Sequence, residues 1–111
     1  MTRILIVDDD EFFGQQIANL LKRNLREVKL WFEQARTAEA GRRLLARSPS
    51  NFDILLSDYQ LGVGDTGLQL LEEAHQLVPT IDSVLFTGKD EPEIGIRAYE
   101  LGAFRYLPKP F

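Results

Sequence analysis

The chain alternates short, nearly continuous apolar runs with longer stretches whose apolar residues recur every three or four positions. Short runs rich in β-branched residues predict buried strands, and the wider spacing predicts amphipathic helices. The run Ile4–Val7 is the clearest strand. The helix predicted after it shares one apolar face, formed by Phe13, Ile17, Leu20, Leu21 and Leu25.

Nine elements follow in strict alternation. The predicted strands are 4–7, 28–32, 52–57, 83–86 and 104–107, and the predicted helices are 11–26, 38–47, 67–78 and 91–101. Thr37 and Thr66 are placed to cap the second and third helices, and Gly102 to end the fourth. Such alternation predicts an α/β domain with a parallel sheet and helices on both faces.

Composition limits the class of protein. The 111 residues suffice for one domain with a core, because 44% of them are hydrophobic. There is no Cys, which excludes disulfides, thiolate metal sites and a cysteine nucleophile. The net charge of −4 gives no reason to expect nucleic acid as the ligand, because proteins that bind the phosphate backbone usually carry a basic face. No apolar run is long enough for a membrane span. We expect a soluble cytoplasmic domain that binds neither nucleic acid nor membrane.

The fifth strand is followed by no residues from which a fifth helix could form. We therefore expect residues 1–111 to be one domain of a longer protein that continues past Phe111. Without that helix, an apolar strip beside the first helix should be exposed and should promote self-association.

Polar side chains follow the strands at one edge of the predicted sheet. Asp8–Asp10 follow the first strand, Asp58 follows the third, Thr87 follows the fourth and Lys109 follows the fifth. In open α/β sheets, ligands bind beyond the carboxyl ends of the strands. These side chains are therefore predicted to meet at one rim.

The types of residue at this rim indicate phosphate chemistry. Clustered carboxylates repel one another unless a cation joins them, and oxygen ligands without Cys favour Mg²⁺. A magnesium ion beside a lysine neutralises phosphoryl oxygens. A carboxylate in that setting can act as nucleophile and form an acyl phosphate. Asp58 is the best candidate, because it stands alone at a strand end before a Gly-rich loop.

Four motifs together resemble the receiver domain of two-component response regulators. They are Ile-Leu-Ile-Val-Asp-Asp-Asp at 4–10, Leu-Leu-Ser-Asp at 55–58, Leu-Phe-Thr-Gly at 85–88 and Tyr-Leu-Pro-Lys-Pro-Phe at 106–111. They occur in the family's order and approximate spacing, and the resemblance covers the whole chain. It implies a flavodoxin-like three-layer sandwich whose five parallel strands have the order 2-1-3-4-5.

The resemblance also implies a phosphoacceptor and its metal ligands. Asp58 would accept a phosphoryl group from a histidine kinase or a phosphotransfer protein. Asp9 would bind Mg²⁺ directly, Asp8 would bind it through water, and Asp58 and the backbone carbonyl of Gln60 would complete the protein ligands.

A second set of residues would respond to the phosphoryl group. Thr87 and Gly88 would contact it, and Lys109 would form an ion pair with it. Thr87 would move inward and Tyr106 would turn with it, which would reshape the face around the fourth helix and fifth strand. The Lys109–Pro110 peptide bond is cis in this family.

The partners implied by the family follow from that switch. They are the kinase or phosphotransfer protein, and an output domain beyond Phe111 or a separate effector. Many receivers also pair as homodimers through the fourth helix, the fifth strand and the fifth helix. The loop after Asp58 departs from the family pattern, because it lacks the usual Pro and is one residue longer, which predicts greater mobility.

Two other functions fit parts of the sequence. A pseudo-receiver would use the same fold as an interaction module without phosphate. A Mg²⁺-dependent phosphohydrolase of the haloacid dehalogenase kind would also form an aspartyl phosphate. That class needs a second acid two residues after its nucleophile, where Asp58 has Gln60 and Asp8 has Asp10.

Simpler interpretations apply to single residues. Asp8–Asp10 on their own would suit a helix N-terminus, where acids are favourable. Tyr106, Trp31 and Phe32 would suit packing on a strand. His75 has no partner at ligand spacing along the helix and is predicted to be a solvated surface residue.

Overall fold

The computed structural model describes residues 1–47, 52–62, 66–88 and 92–108. Five strands and four helices alternate along the chain: β1 (Thr2–Val7), α1 (Glu11–Asn24), β2 (Leu30–Ala35), α2 (Ala38–Arg47), β3 (Ile54–Asp58), α3 (Gly67–Leu77), β4 (Asp82–Thr87), α4 (Pro92–Glu100) and β5 (Arg105–Pro108). All strand pairs are parallel, and the order is β2-β1-β3-β4-β5. The predicted flavodoxin-like α/β fold is confirmed.

Three helices, α1, α2 and α3, begin directly after a residue whose side chain accepts hydrogen bonds from their first N–H groups. Asp10 caps α1 by accepting hydrogen bonds from the backbone N–H groups of Phe12 and Phe13. Thr66 caps α3 in a capping box, in which the Thr66 hydroxyl accepts a hydrogen bond from the Gln69 N–H and Oε1 of Gln69 accepts one from the Thr66 N–H. Both threonine caps predicted from the sequence are present, since Thr37 accepts from the N–H of Ala40.

Alternate residues of the strands separate the core into two layers. Leu5, Val7, Leu55 and Leu85 face α2, α3 and α4, whereas Ile4, Ile6, Leu56 and Phe86 face α1. The near-continuous apolar sequence of β1 is explained by this burial on both faces. Pro108 ends β5 at the edge of the sheet, where a missing N–H is tolerated.

Within the described residues, α1 alone packs on its face of the sheet and leaves part of that face open. A groove of about 500 Å³ lies between α1 and strands β1, β3, β4 and β5. Its lining is almost entirely apolar and includes Leu20, Leu21, Leu25, Val84, Phe104 and Leu107. The apolar strip expected beside the first helix is therefore present, and Leu20 and Leu25 are exposed although their helical spacing predicted burial.

Two predictions need correction. The second strand was expected at 28–32 but spans Leu30–Ala35, because its pairing with β1 is set by the register from Thr2↔Leu30 to Val7↔Ala35. His75 was expected in solvent but is half-buried, with Nε2 hydrogen-bonded to Oγ of Ser83 at 2.9 Å. Ser83 comes from β4, so the contact depends on tertiary packing.

Candidate functional site

Three carboxylates meet at the carboxyl ends of β1 and β3. One oxygen from each of Asp8, Asp9 and Asp58 lies within 4.8 Å of the other two. Asp8 and Asp58 are largely buried, with 4% and 8% of their surface exposed, whereas Asp9 is exposed. Three of the side chains predicted to share one rim, those of Asp8, Asp9 and Asp58, therefore lie close together.

The backbone holds the first of these carboxylates in place. Oδ1 of Asp8 accepts a hydrogen bond from the N–H of Asp10 at 2.8 Å. The side chain of Asp10 instead caps α1, and it is not among the three clustered carboxylates. The three consecutive acids therefore make different contacts, and among them Asp10 is the one whose side chain caps the helix N-terminus.

Asp58 is held by contacts that the sequence analysis did not identify. The buried hydroxyl of Ser57 donates to the Asp58 carbonyl oxygen at 3.0 Å. The first residue of α3, Gly67, packs against the same carbonyl so closely that a Cβ there would overlap it. The only sequence signal for Gly67 was a glycine directly after the Thr66 cap. No sequence signal pointed to Ser57.

The loop after Asp58 is closed at its base. The N–H of Gly67 donates to the carbonyl oxygen of Tyr59 at 2.7 Å, and Gln60 and Thr66 form an antiparallel bridge. Gln60, the predicted carbonyl ligand, therefore lies in the base of the loop beside Asp58. Residues 63–65, at the centre of the longer loop, lie outside the described residues.

Of the predicted response residues, Thr87 lies on β4 and Tyr106 lies on β5. Thr87 ends β4 with only 1% of its surface exposed, and the register places it opposite Pro108. The next residue, Gly88, has open space around it, since a Cβ added there would meet nothing within 4 Å. Tyr106 pairs with Leu85 and packs in the cluster under α4. Lys109 and Pro110 lie outside the described residues.

The arrangement suits a hard divalent cation. All three side-chain donors are carboxylate oxygens, the ligand type that Mg²⁺ and Ca²⁺ prefer. Three negative charges within this distance repel one another and would be stabilised by a bound cation. The donor set therefore fits the Mg²⁺ predicted from the sequence, although oxygen ligands alone do not distinguish Mg²⁺ from Ca²⁺. No helix among the described residues has the length and apolar character of a membrane span.

Comparison with known proteins gives one consistent group of relatives. The chain is 36% identical over 108 residues to the response regulator protein PilR of Pseudomonas aeruginosa, and the match covers 97% of this chain and 23% of PilR. It is 36% identical over 107 residues to the DNA-binding transcriptional regulator NtrC of Klebsiella pneumoniae, covering 96% and 21%. The chain thus spans about a fifth of the length of these curated relatives.

Solved structures agree with the sequence relatives. A CheY-like response regulator receiver domain protein from Methanospirillum hungatei matches all of this chain and 83% of its own, with a TM-score of 0.87 and 31% identity. A response regulator from Burkholderia pseudomallei, solved with a phosphorylated aspartic acid, calcium ion and citrate, matches all of this chain and 61% of its own, with a TM-score of 0.82 and 28% identity.

The family model for the response regulator receiver domain matches residues 4–111, nearly the whole chain. The chain belongs to the response regulator receiver domain family.

Proposed function

We propose that this domain accepts a phosphoryl group on Asp58 in the presence of Mg²⁺ and so controls an output domain or a separate effector. The observation that carries the proposal is the cluster formed by Asp8, Asp9 and Asp58, whose oxygens lie within 4.8 Å of one another. The Burkholderia response regulator with a phosphorylated aspartic acid and a calcium ion supports the same chemistry for a related fold.

In the proposed reaction, a carboxylate oxygen of Asp58 attacks the phosphorus of a kinase phosphohistidine. A P–O bond forms, the P–N bond breaks, and the histidine nitrogen leaves with the electron pair. Bound Mg²⁺ would offset the charge of the phosphoryl oxygens beside Asp58. Asp9 would bind the metal directly, with Asp8 through water and the Gln60 carbonyl as further ligands. Thr87 would donate a hydrogen bond from its hydroxyl group to a phosphoryl oxygen, and Lys109 would form an ion pair with another.

The proposed readout is the face formed by α4 and the start of β5. Thr87 and Tyr106 would move together on phosphorylation and change this face. Two large apolar side chains of α4, Ile96 and Tyr99, are exposed, as expected for a surface that contacts a partner. The proposed partners are a kinase or phosphotransfer protein, and an output domain past Phe111 or an effector, with a second copy as a further partner for the same face.

The phosphohydrolase alternative is less well supported. Its mechanism needs a second acid two residues after the nucleophile. Gln60 stands at that position after Asp58 and is not an acid. Asp10 stands there after Asp8, but its carboxylate accepts two backbone hydrogen bonds as the α1 cap.

The test is the intact-protein mass after incubation with Mg²⁺ and a small acyl-phosphate donor. We expect a gain of one phosphoryl mass in the parent, and none in Asp58→Asn or with a chelator. If no mass is gained, beryllofluoride binding with Mg²⁺ would identify a short-lived acyl phosphate. A protein that binds neither Mg²⁺ nor beryllofluoride would be a pseudo-receiver.

A further inference from the structure

The ring of Tyr106 lies against the backbone of α4 at a glycine. A Cβ built on Gly95 would lie 3.0 Å from Cδ2 and 3.2 Å from Cε2 of the Tyr106 ring. Both distances are shorter than ordinary van der Waals contact between carbon atoms. A Cβ at residue 95 would therefore press on the ring, which would have to move by a few tenths of an ångström.

Gly95 is an unfavourable residue for the helix itself. It lies in the middle of α4, between the buried residues Ile94 and Ala98 on the sheet-facing side. Glycine in a helix interior is less stable than alanine, because its backbone loses more conformational freedom on folding. The local sequence of α4 gives no reason for glycine here, whereas the contact with Tyr106 does.

The ring position is linked to the proposed phosphoryl site through β4. Tyr106 of β5 pairs with Leu85 of β4. Thr87 lies two residues after Leu85 on β4 and is therefore on the same face of the sheet as Leu85. Gly95, Tyr106 and Thr87 therefore lie on the side of the sheet that α4 covers.

We infer that Gly95 forms a slot in α4 that holds the Tyr106 ring in its resting position, and that phosphorylation draws the ring out of this slot. The link to phosphorylation rests on the proposed function, whereas the slot formed by Gly95 does not depend on that function. A methyl group at residue 95 destabilises only the resting position, so it shifts the equilibrium towards the activated arrangement.

The slot is tested by a double-mutant cycle on thermal stability. Gly95→Ala, Tyr106→Ala and the double variant are compared with the parent. In the Tyr106→Ala background, which lacks the ring, we expect Gly95→Ala to raise the thermal stability of the domain, because alanine has a higher helix propensity than glycine. With the ring present, the gain should be smaller or reversed, and the Tyr106 ring signals in NMR should shift. Equal effects of Gly95→Ala in both backgrounds would overturn the slot.

Gly14→Ala is the matched control. Gly14 is also a buried helical glycine, but a Cβ there would meet the end of the flexible Gln34 side chain. We expect it to leave the Tyr106 ring signals in place. Shifts as large as those in Gly95→Ala would show that the signals do not report the slot.

The link to activation is tested separately, by beryllofluoride affinity with Mg²⁺. We expect Gly95→Ala to bind about threefold more tightly or better, because less free energy is needed to empty the slot. Equal or weaker binding would overturn the resting-state assignment. If neither the parent nor Gly95→Ala binds beryllofluoride, the result counts against the proposed function. The double-mutant cycle still tests whether the slot exists.

Discussion

A side-chain carbon on Gly67 would overlap the carbonyl oxygen of Asp58, because the first turn of α3 lies directly against the end of β3. Neither group can turn aside, since one is the helix backbone and the other is the strand backbone. The distance between α3 and the proposed phosphoacceptor is therefore fixed by the absence of a side chain at residue 67.

Gly67→Ala should destabilise the domain by about 1–3 kcal/mol, because the overlap can be relieved only by moving backbone. Urea denaturation measures the change. Gly88→Ala is the control, because a Cβ there meets nothing within 4 Å, and it should alter stability by less than about 0.5 kcal/mol. Equal stability of both variants would show that α3 can shift without cost.

Asp8→Asn should weaken Mg²⁺ binding by about tenfold or more, since one carboxylate of the cluster becomes neutral. Without metal, the variant should be at least as stable as the parent. Asparagine can still accept the hydrogen bond from Asp10, and repulsion within the cluster falls. Calorimetric titration and thermal unfolding with and without Mg²⁺ measure both effects. A metal-free variant markedly less stable than the parent would indicate that Asp8 is a structural residue.

His75 should make stability depend on pH just below neutrality. Burial lowers the pKa of His75 below its usual 6.5, although the nearby Asp82 raises it in part. The unfolded chain therefore takes up this proton first as the pH falls, so stability decreases from about pH 6.5 down through the lowered pKa of the folded state. The measurement is the free energy of unfolding between pH 7.5 and pH 5, compared with His75→Gln.

Glutamine at residue 75 does not titrate and can keep a hydrogen bond to Ser83. The other titrating groups are common to both proteins and cancel in the difference. The parent should lose more stability than His75→Gln as the pH falls. Parallel profiles would mean that protonated His75 is tolerated equally in the folded and unfolded chains.

Periodicity predicted the elements of this fold well, because each signal is local. The Thr37 and Thr66 caps lie within three residues of the N–H groups that they satisfy. The predicted range of the second strand was wrong because the limits of β2 depend on its pairing with β1. The polar residues Glu33 and Gln34 also interrupt the apolar pattern from which a strand is predicted. The site carboxylates were predictable because parallel strands bring their ends to one edge.

Contacts between distant parts of the chain were not predictable in the same way. His75 and Ser83 are joined only by the packing of α3 on β4, so the helical pattern of α3 does not show that His75 has a partner. The roles of Gly67 and Gly95 depend on what a missing side chain would touch, which no local pattern reveals.

The 111-residue chain should self-associate as its concentration rises, because the groove beside α1 exposes apolar surface. Leu20→Lys should reduce this association in sedimentation velocity. Leu77→Lys is the matched control, since both leucines are 42% exposed but Leu77 lies on α3, away from the groove. Equal sedimentation of parent and Leu20→Lys over the same concentration range would contradict the prediction.

The closed base of the loop after Asp58 has a consequence for how this domain can vary. The Tyr59–Gly67 hydrogen bond and the Gln60–Thr66 bridge fix both ends of the loop before its central residues begin. An insertion between these two anchors lengthens the segment that joins them and leaves the contacts of both anchors in place. The centre of this loop is therefore a natural place to graft a foreign peptide or an affinity tag, with the carboxylate cluster beside it left intact.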